Sequence, residues 1–161
     1  MPRHNEFRAI LFSTLLPLAP AHLLGCAGSQ AGHGSEDLRP VDEARAVAVI
    51  DEALTAQHLT VAPGADVASP DGDVHVELWV EQGYGIAYVT ELEDQKSGGK
   101  LPKAKGRVLP LLRVEGDRTV LVLYDRDYQY DAGKTHSSTA LTAELKLKRD
   151  VTDFALQVVK K

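Results

Sequence analysis

Cysteine is nearly absent from this sequence, with Cys26 as the only example among 161 residues. A chain with one cysteine cannot close an internal disulfide, so its folded part must be held together by an apolar core. The sequence also lacks Gly-x-Ser-x-Gly, His-Glu-x-x-His and a phosphate-binding loop. After Cys26, no apolar run approaches the roughly 20 residues that a membrane-spanning helix needs. We therefore expect a domain that lies outside the bilayer and carries no recognisable catalytic motif.

The one long apolar run lies near the start of the chain. Residues 1–8 are mostly polar and contain Arg3 and Arg8, whereas residues 9–24 (AILFSTLLPLAPAHLL) are almost entirely apolar. A basic start, a short apolar segment and a small residue before the cleavage point are typical of a secretory signal. The run ends in Leu-Leu-Gly-Cys over residues 23–26, which resembles the lipobox of bacterial lipoproteins. The sequence therefore predicts a signal peptide over residues 1–25.

The lipobox resemblance implies a covalent lipid anchor on Cys26. In lipoproteins the cysteine thiol carries a diacylglycerol, the chain is cut before the cysteine, and the new amine is often acylated. Such acyl chains anchor a protein stably, because each buried methylene contributes about 0.8 kcal/mol. The residue after the cysteine is Ala27 rather than aspartate, which by the same resemblance favours the outer membrane of the cell envelope.

The remaining chain is long enough for one domain with its own core. Cleavage would remove Arg3, Arg8 and Glu6, which leaves 16 basic and 22 acidic residues and a net charge of about −6. An acidic domain is poorly suited to nucleic acid, because that binding depends on neutralising phosphates. Residues 27–40 are small and polar, and together with Cys26 they predict a flexible tether over 26–40. The globular domain is expected over 41–161.

The first half of this domain shows both helical and strand periodicity. Apolar residues at three- and four-residue spacing predict a helix over 41–58, and the prolines and glycines of 59–73 predict a loop. Residues 74–80 alternate apolar and polar side chains, and 84–91 are rich in aromatic and β-branched ones. The stretch 74–91 is therefore predicted to form a β-hairpin.

The next segments are shorter and more polar. Residues 93–106 have little to bury and are expected to form a long loop. Residues 107–114 are predicted to be an edge strand or a short helix, because Pro110 excludes a central strand position. The apolar run 119–124 is predicted to be a strand covered on both faces.

Residues 139–161 allow two interpretations. Alternating leucines favour a strand over 140–148, whereas a separate set fits one side of a helix: Leu147, Val151, Phe154, Ala155 and Val158. We favour a helix over 138–159, because the stretch from 139 contains no glycine or proline. The predicted fold class is α+β, with an N-terminal and a C-terminal helix on a small, largely antiparallel sheet. The alternative is an all-β meander preceded by one helix.

Three aspartates follow the predicted strand 119–124 and are the sharpest candidates for chemistry. Asp125, Asp127 and Asp131 could converge on a magnesium or calcium ion, because hard cations prefer carboxylate oxygens. His75 on the first hairpin strand could add a general base or a further ligand. A small divalent-metal-dependent hydrolase is therefore one hypothesis. A solvated turn, in which the carboxylates bond nearby backbone amides, is the competing interpretation.

Basic residues concentrate in and beside the predicted loop 93–106 of this acidic chain. Lys100, Lys103 and Lys105 could contact anionic lipid headgroups or an acidic envelope polymer, and a solvated loop is the competing interpretation. Tyr84 and Tyr88 on the second hairpin strand could anchor a protein partner, although tyrosines of a sheet also serve as core residues. Of the two function classes, we favour a lipid-anchored envelope lipoprotein that binds or scaffolds another envelope component, without a cofactor, over an enzyme.

Overall fold

The computed structural model describes residues 37–80, 83–133 and 137–159, so the predicted signal peptide and Cys26 lie outside the described residues. In chain order, its helices and strands are β1 (Leu38–Pro40), α1 (Glu43–Ala56), β2 (Val61–Val67), β3 (Val74–Val80), β4 (Tyr84–Val89), α2 (Glu91–Lys96), β5 (Leu111–Val114), β6 (Arg118–Tyr124), β7 (Gln129–Asp131) and α3 (Ser137–Phe154). A π-helical turn over Ala155–Val159 follows α3. The predicted α+β class is confirmed, and the all-β alternative is wrong because 137–154 is helical.

Five strands form one mixed sheet in the order β2-β3-β4-β6-β5. All neighbouring pairs are antiparallel except β4 and β6, which run parallel in its interior. The connection between these two strands passes through α2 and the edge strand β5. A separate antiparallel pair is formed by β1 and β7. The predicted hairpin is confirmed as β3 and β4, and the predicted edge strand is confirmed as β5, which begins just after Pro110.

Helices α1 and α3 cover one face of the sheet and form the first core. Their apolar sides pack against residues of β4 and β6, and the fully buried members include Ala46, Ile50, Leu54, Leu147, Val151, Phe154, Ile86 and Leu121. Asp42 caps α1, since its Oδ1 accepts a hydrogen bond from the Ala44 amide at 3.0 Å. Arg45 donates two hydrogen bonds to Glu144, at 2.9 and 2.7 Å, and so links the two helices.

The opposite face of the sheet carries a second core. Its buried residues come from β3 to β6 and from the loop after α2: Val74, Val76, Ala87, Val89, Val120, Val122, Tyr124, Leu112, Val114 and Leu101. Residues 68–70 after β2 and residues 113–115 at the end of β5 line one shallow cavity. Strand β6 is covered on both faces, as predicted.

Strand β3 changes face midway along its length, which the strict alternation of 74–80 did not predict. Val76 belongs to the second core, whereas Val80 belongs to the first. Trp79 packs against the second core, on the same side as Val76. The absence of a side chain at Gly85 makes this possible, because a Cβ there would lie 2.8 Å from Trp79 Cζ3. Trp79 therefore faces the opposite side of the sheet from His75, although strict alternation would place both residues on one side.

Three segments contain structure where none was predicted. Strand β2 lies within the expected loop 59–73, and it tolerates Pro63 because it forms an edge of the sheet. Helix α2 occupies the start of the expected loop 93–106. There, Thr90 and Glu93 form a capping box in which Glu93 Oε2 accepts from the Thr90 amide at 2.8 Å. The last residues of the predicted tether, Leu38–Pro40, form β1.

Candidate functional site

The three aspartates of the predicted metal cluster bond to nearby backbone or lie in turns. A 3-10 turn after β6 begins at Asp125 and ends at Asp127. Asp125 Oδ2 accepts a hydrogen bond from the Glu91 amide at 3.4 Å, and Asp131 Oδ1 accepts one from the Gly133 amide at 3.0 Å. Among the described residues, no group of three or more His, Cys, Asp or Glu side chains is placed to hold a metal ion.

His75 lies in β3 and pairs with an acidic residue of β2. Its Nδ1 is 2.6 Å from Oδ1 of Asp66, and this hydrogen bond raises the pKa of His75 above 6.5. Burial raises the pKa of the neighbouring Glu77. His75 also lines a cavity of about 280 Å³ together with Glu93 and Ser97. The histidine is thus oriented by a carboxylate at the edge of the sheet.

The two tyrosines predicted to bind a partner lie on β4 and pack into the first core. Tyr84 is half-buried and packs edge-on against Phe154, with 6.1 Å between ring centroids. Tyr88 is only 2% exposed, and its hydroxyl donates a hydrogen bond to the carbonyl of Val41 at 2.9 Å. Burial raises the pKa of Tyr88. Tyr88 is thus a core residue in this structure, and the hypothesis of a binding surface rests on the lysines.

The predicted lysines lie on residues 97–110, which connect α2 to β5 and which we call the basic loop. Two kinds of contact fix the loop to the sheet near Leu101. Leu101 is buried in the second core, and the hydroxyl of Tyr124 donates to the carbonyls of Leu101 and Pro102, each at 3.2 Å. Burial of that hydroxyl raises the pKa of Tyr124 to about 12. Lys100, Lys103 and Lys105 are exposed and extend from this fixed backbone.

A buried carboxylate lies beside the basic loop. Asp94 is 6% exposed, and its Oδ2 accepts a hydrogen bond from Arg126 at 3.0 Å and lies 3.5 Å from Nζ of Lys103. The Arg126 guanidinium also stacks over the ring of Tyr124, 4.3 Å from its centroid. Lys103 is therefore partly neutralised. Within the described ranges, no ion pair engages Lys100 or Lys105.

The end of the basic loop forms one side of a cleft of about 590 Å³. The C-terminal half of α3 forms another side, and residues of β6 and the turn after it complete the lining. The charged lining is balanced in sign, with Arg107, Lys146 and Arg149 against Asp127, Asp150 and Asp153. The cleft thus presents both charges in one place, unlike the basic loop itself.

Tyr128 organises the polar contacts of the cleft. Its hydroxyl donates to Oδ2 of Asp150 at 3.0 Å, and burial beside that carboxylate raises the pKa of Tyr128. The ammonium of Lys146 lies 4.6 Å from the centre of the Tyr128 ring and donates to the carbonyl of Asp127 at 2.6 Å. Arg149 donates to Oδ1 of Asp150 at 3.2 Å. Asp150 is therefore already satisfied by two partners.

The residues of α3 that line this cleft were not predicted from the sequence. Lys146, Asp150, Asp153 and Gln157 recur at spacings of four, three and four, which places them on one flank of a helix. This spacing is visible in the sequence, but it places the four residues together only if 138–159 is a helix. The position of Arg107 across from this flank depends on tertiary packing, and no local pattern indicates it.

Comparisons with protein-family models, with curated proteins and with solved structures give no match for this chain. Over the described ranges, no helix combines the length and the hydropathy that crossing a membrane requires.

Proposed function

We propose that this protein is a lipid-anchored lipoprotein of the cell envelope, and that its domain binds or scaffolds another envelope component through the basic loop. The resemblance of residues 23–26 to a lipobox supports the anchor. One observation carries the binding part: the lysines extend from a loop whose backbone is held by Leu101 and Tyr124. A loop fixed in this way loses less conformational entropy on binding than a free one would.

Charge favours an acidic partner for the basic loop. The whole chain has a net charge of −5, so a cluster of exposed lysines is the exception on its surface. An acidic surface on another envelope protein, or an anionic envelope polymer, would be attracted to this loop and repelled by much of the remaining surface. Such a distribution orients the partner and raises the association rate more than it raises the affinity.

The anchor is tested by the intact mass of the protein purified from a bacterial envelope. We expect a chain that begins at Cys26 and carries the added mass of a diacylglycerol, with or without a further acyl chain. The Cys26→Ser variant should keep residues 1–25 and gain no lipid mass. Wild-type protein that begins at another residue, or that carries no lipid, would refute the anchor.

The binding surface is tested by crosslinking in intact cells followed by purification of the tagged full chain. A variant with glutamine at Lys100, Lys103 and Lys105 should lose most of the partner that the wild type recovers. The matched control places glutamine at Arg39, Arg113 and Lys148, which changes the net charge equally outside the loop. Equal recovery by both variants would contradict a role for the basic loop, and the Cys26→Ser variant reports whether recovery requires the anchor.

The hydrolase hypothesis is tested separately. It requires divalent-metal binding that disappears in both Asp125→Ala and Asp127→Ala, because these carboxylates would be the ligands. Isothermal titration of the purified chain with magnesium, calcium or manganese gives the answer. If the wild type binds no metal and both variants still recover the partner, the results favour a binding or scaffolding domain over a hydrolase.

A further inference from the structure

The cleft differs from the basic loop in what it offers a ligand. Two of its charged groups are committed to each other, since Asp150 holds both the Tyr128 hydroxyl and Arg149. Three others are not: in the described part of the chain, none of the side chains of Arg107, Asp127 and Asp153 forms an ion pair or a hydrogen bond. The unpaired cation comes from the loop side of the cleft, and the unpaired anions come from α3 and from the turn after β6.

Apolar groups line the same cleft. Leu109 and Pro110 line the cleft from the loop and Leu123 lines it from β6. Val108 also lines the cleft and is 68% exposed, the highest value among the large apolar side chains of the described chain. Ligand sites in proteins are commonly concave and combine apolar lining residues with a few polar or charged groups. The lining therefore combines apolar residues with available charges of both signs.

Lys146 adds a second available cation. Among the described residues, its ammonium contacts a neutral carbonyl, that of Asp127, and the face of the Tyr128 ring. Because no carboxylate of the described chain forms an ion pair with it, Lys146 can attract an acidic group of a ligand without breaking such a pair. The cleft can thus accept an acidic group near Arg107 and Lys146 and a basic group near Asp153.

We propose that this cleft binds a peptide segment that carries a basic and an acidic side chain on either side of an apolar one. The acidic group pairs with Arg107, the basic group pairs with Asp153, and the apolar side chain packs on Leu109. A purely anionic ligand would meet Asp153, and a purely cationic one would meet Arg107, so the balance of charges selects a dipolar ligand. This site is separate from Lys100, Lys103 and Lys105, and it requires no lipid anchor.

The test uses short peptides with blocked ends, so that only side chains carry charge. The probes are acetylated and amidated Lys-Leu-Glu and its reverse, Glu-Leu-Lys, compared with Lys-Leu-Ala and Ala-Leu-Glu. Binding to the isotope-labelled full chain in detergent is followed by chemical-shift titration. We expect saturable binding of one dipolar peptide, with shifts at Tyr128, and about threefold weaker binding of each singly charged peptide. Equal affinity for all four peptides, or no saturable binding, would overturn the proposal.

Variants connect each charge of the peptide to its partner in the cleft. Arg107→Ser should weaken binding of the dipolar peptide about threefold but leave the affinity for Lys-Leu-Ala unchanged, because that peptide has no acidic group to lose. Asp153→Asn should also weaken binding of the dipolar peptide about threefold, but it should leave the affinity for Ala-Leu-Glu unchanged, because that peptide has no basic group to lose. Arg113→Ser, outside the cleft, is the control and should match the wild type, and urea unfolding confirms that each variant is folded. Arg107→Ser and Arg113→Ser behaving alike would refute the assignment.

Discussion

Tyr124→Phe isolates the contact that holds the basic loop to the sheet. The hydroxyl of Tyr124 donates to the carbonyls of Leu101 and Pro102, and phenylalanine keeps the ring and the stacked Arg126. Removing the donor leaves a carbonyl of the buried Leu101 without this partner. Near pH 8 we therefore expect the variant to be about 1–2 kcal/mol less stable than the wild type.

The sign of this difference should reverse at high pH. Burial raises the pKa of Tyr124 from 10.0 to about 12 in the folded state. A raised pKa means that the stabilisation is fully present below pH 10 and is lost as the pH rises from 10 toward 12. The wild type should then lose about 1.4 kcal/mol per pH unit relative to the variant. Above about pH 11, Tyr124→Phe becomes the more stable protein.

Urea unfolding followed by circular dichroism at about pH 8, 10 and 11 measures this difference. Ionisation of other buried tyrosines, such as Tyr88 and Tyr128, occurs in both proteins and cancels in the comparison. Tyr84→Phe is the control for removing a hydroxyl, because the described residues give the Tyr84 hydroxyl no hydrogen-bond partner, and we expect a change below about 0.5 kcal/mol near pH 8. A constant difference between wild type and Tyr124→Phe from pH 8 to 11 would refute the reasoning.

Three further predictions concern the core and the sheet edge. Leu147→Ala should cost about 2–5 kcal/mol in urea unfolding because Leu147 is 0% exposed. Leu145→Ala, two residues away and 56% exposed, should cost far less, and similar losses would refute the helical register. Gly85→Ala should lower stability by about 1–3 kcal/mol, because the new Cβ would meet the Trp79 ring; an unchanged midpoint would contradict that packing. Asp66 raises the pKa of His75 above 6.5, so this stabilisation is present below about pH 6.5 and lost as the pH rises through the folded pKa. The deficit of His75→Asn should therefore be larger at about pH 5.5 than at about pH 8.5, and a deficit that does not change with pH would contradict the ion pair.

Most of the fold could be predicted because its strongest signals are local. The apolar stripe of 43–56 and the hairpin of 74–89 each express one periodicity over several residues. The helix 137–154 was the harder choice, since exposed Leu141 and Leu145 imitate the alternation of a strand. The buried set that includes Leu147, Val151 and Phe154 decides it, because only a helix brings these three side chains to one face.

The misses share a physical cause, which is that tertiary context overrides local propensity. Pro63 and Gly64 argue for a loop, yet an edge strand accepts a residue without an amide hydrogen, and Gly64 permits close approach to Val76. The polar stretch after Thr90 has little to bury, but a capping box is sufficient to begin a short helix there. The change of face within β3 has no local signal beyond Gly85, whose missing side chain admits Trp79.

Strand β6 and the residues after it determine both candidate surfaces. The hydroxyl of Tyr124 holds the start of the basic loop, and the amide of Val122 donates to the carbonyl of Pro110 at its end, at 2.9 Å. Tyr128, four residues beyond Tyr124, organises the polar groups of the cleft. Because Val122 and Tyr124 also belong to the second core, changing them would alter stability and binding together. Exposed side chains such as Lys105 and Arg107 have no such role in the core, so substitutions there can separate binding from folding.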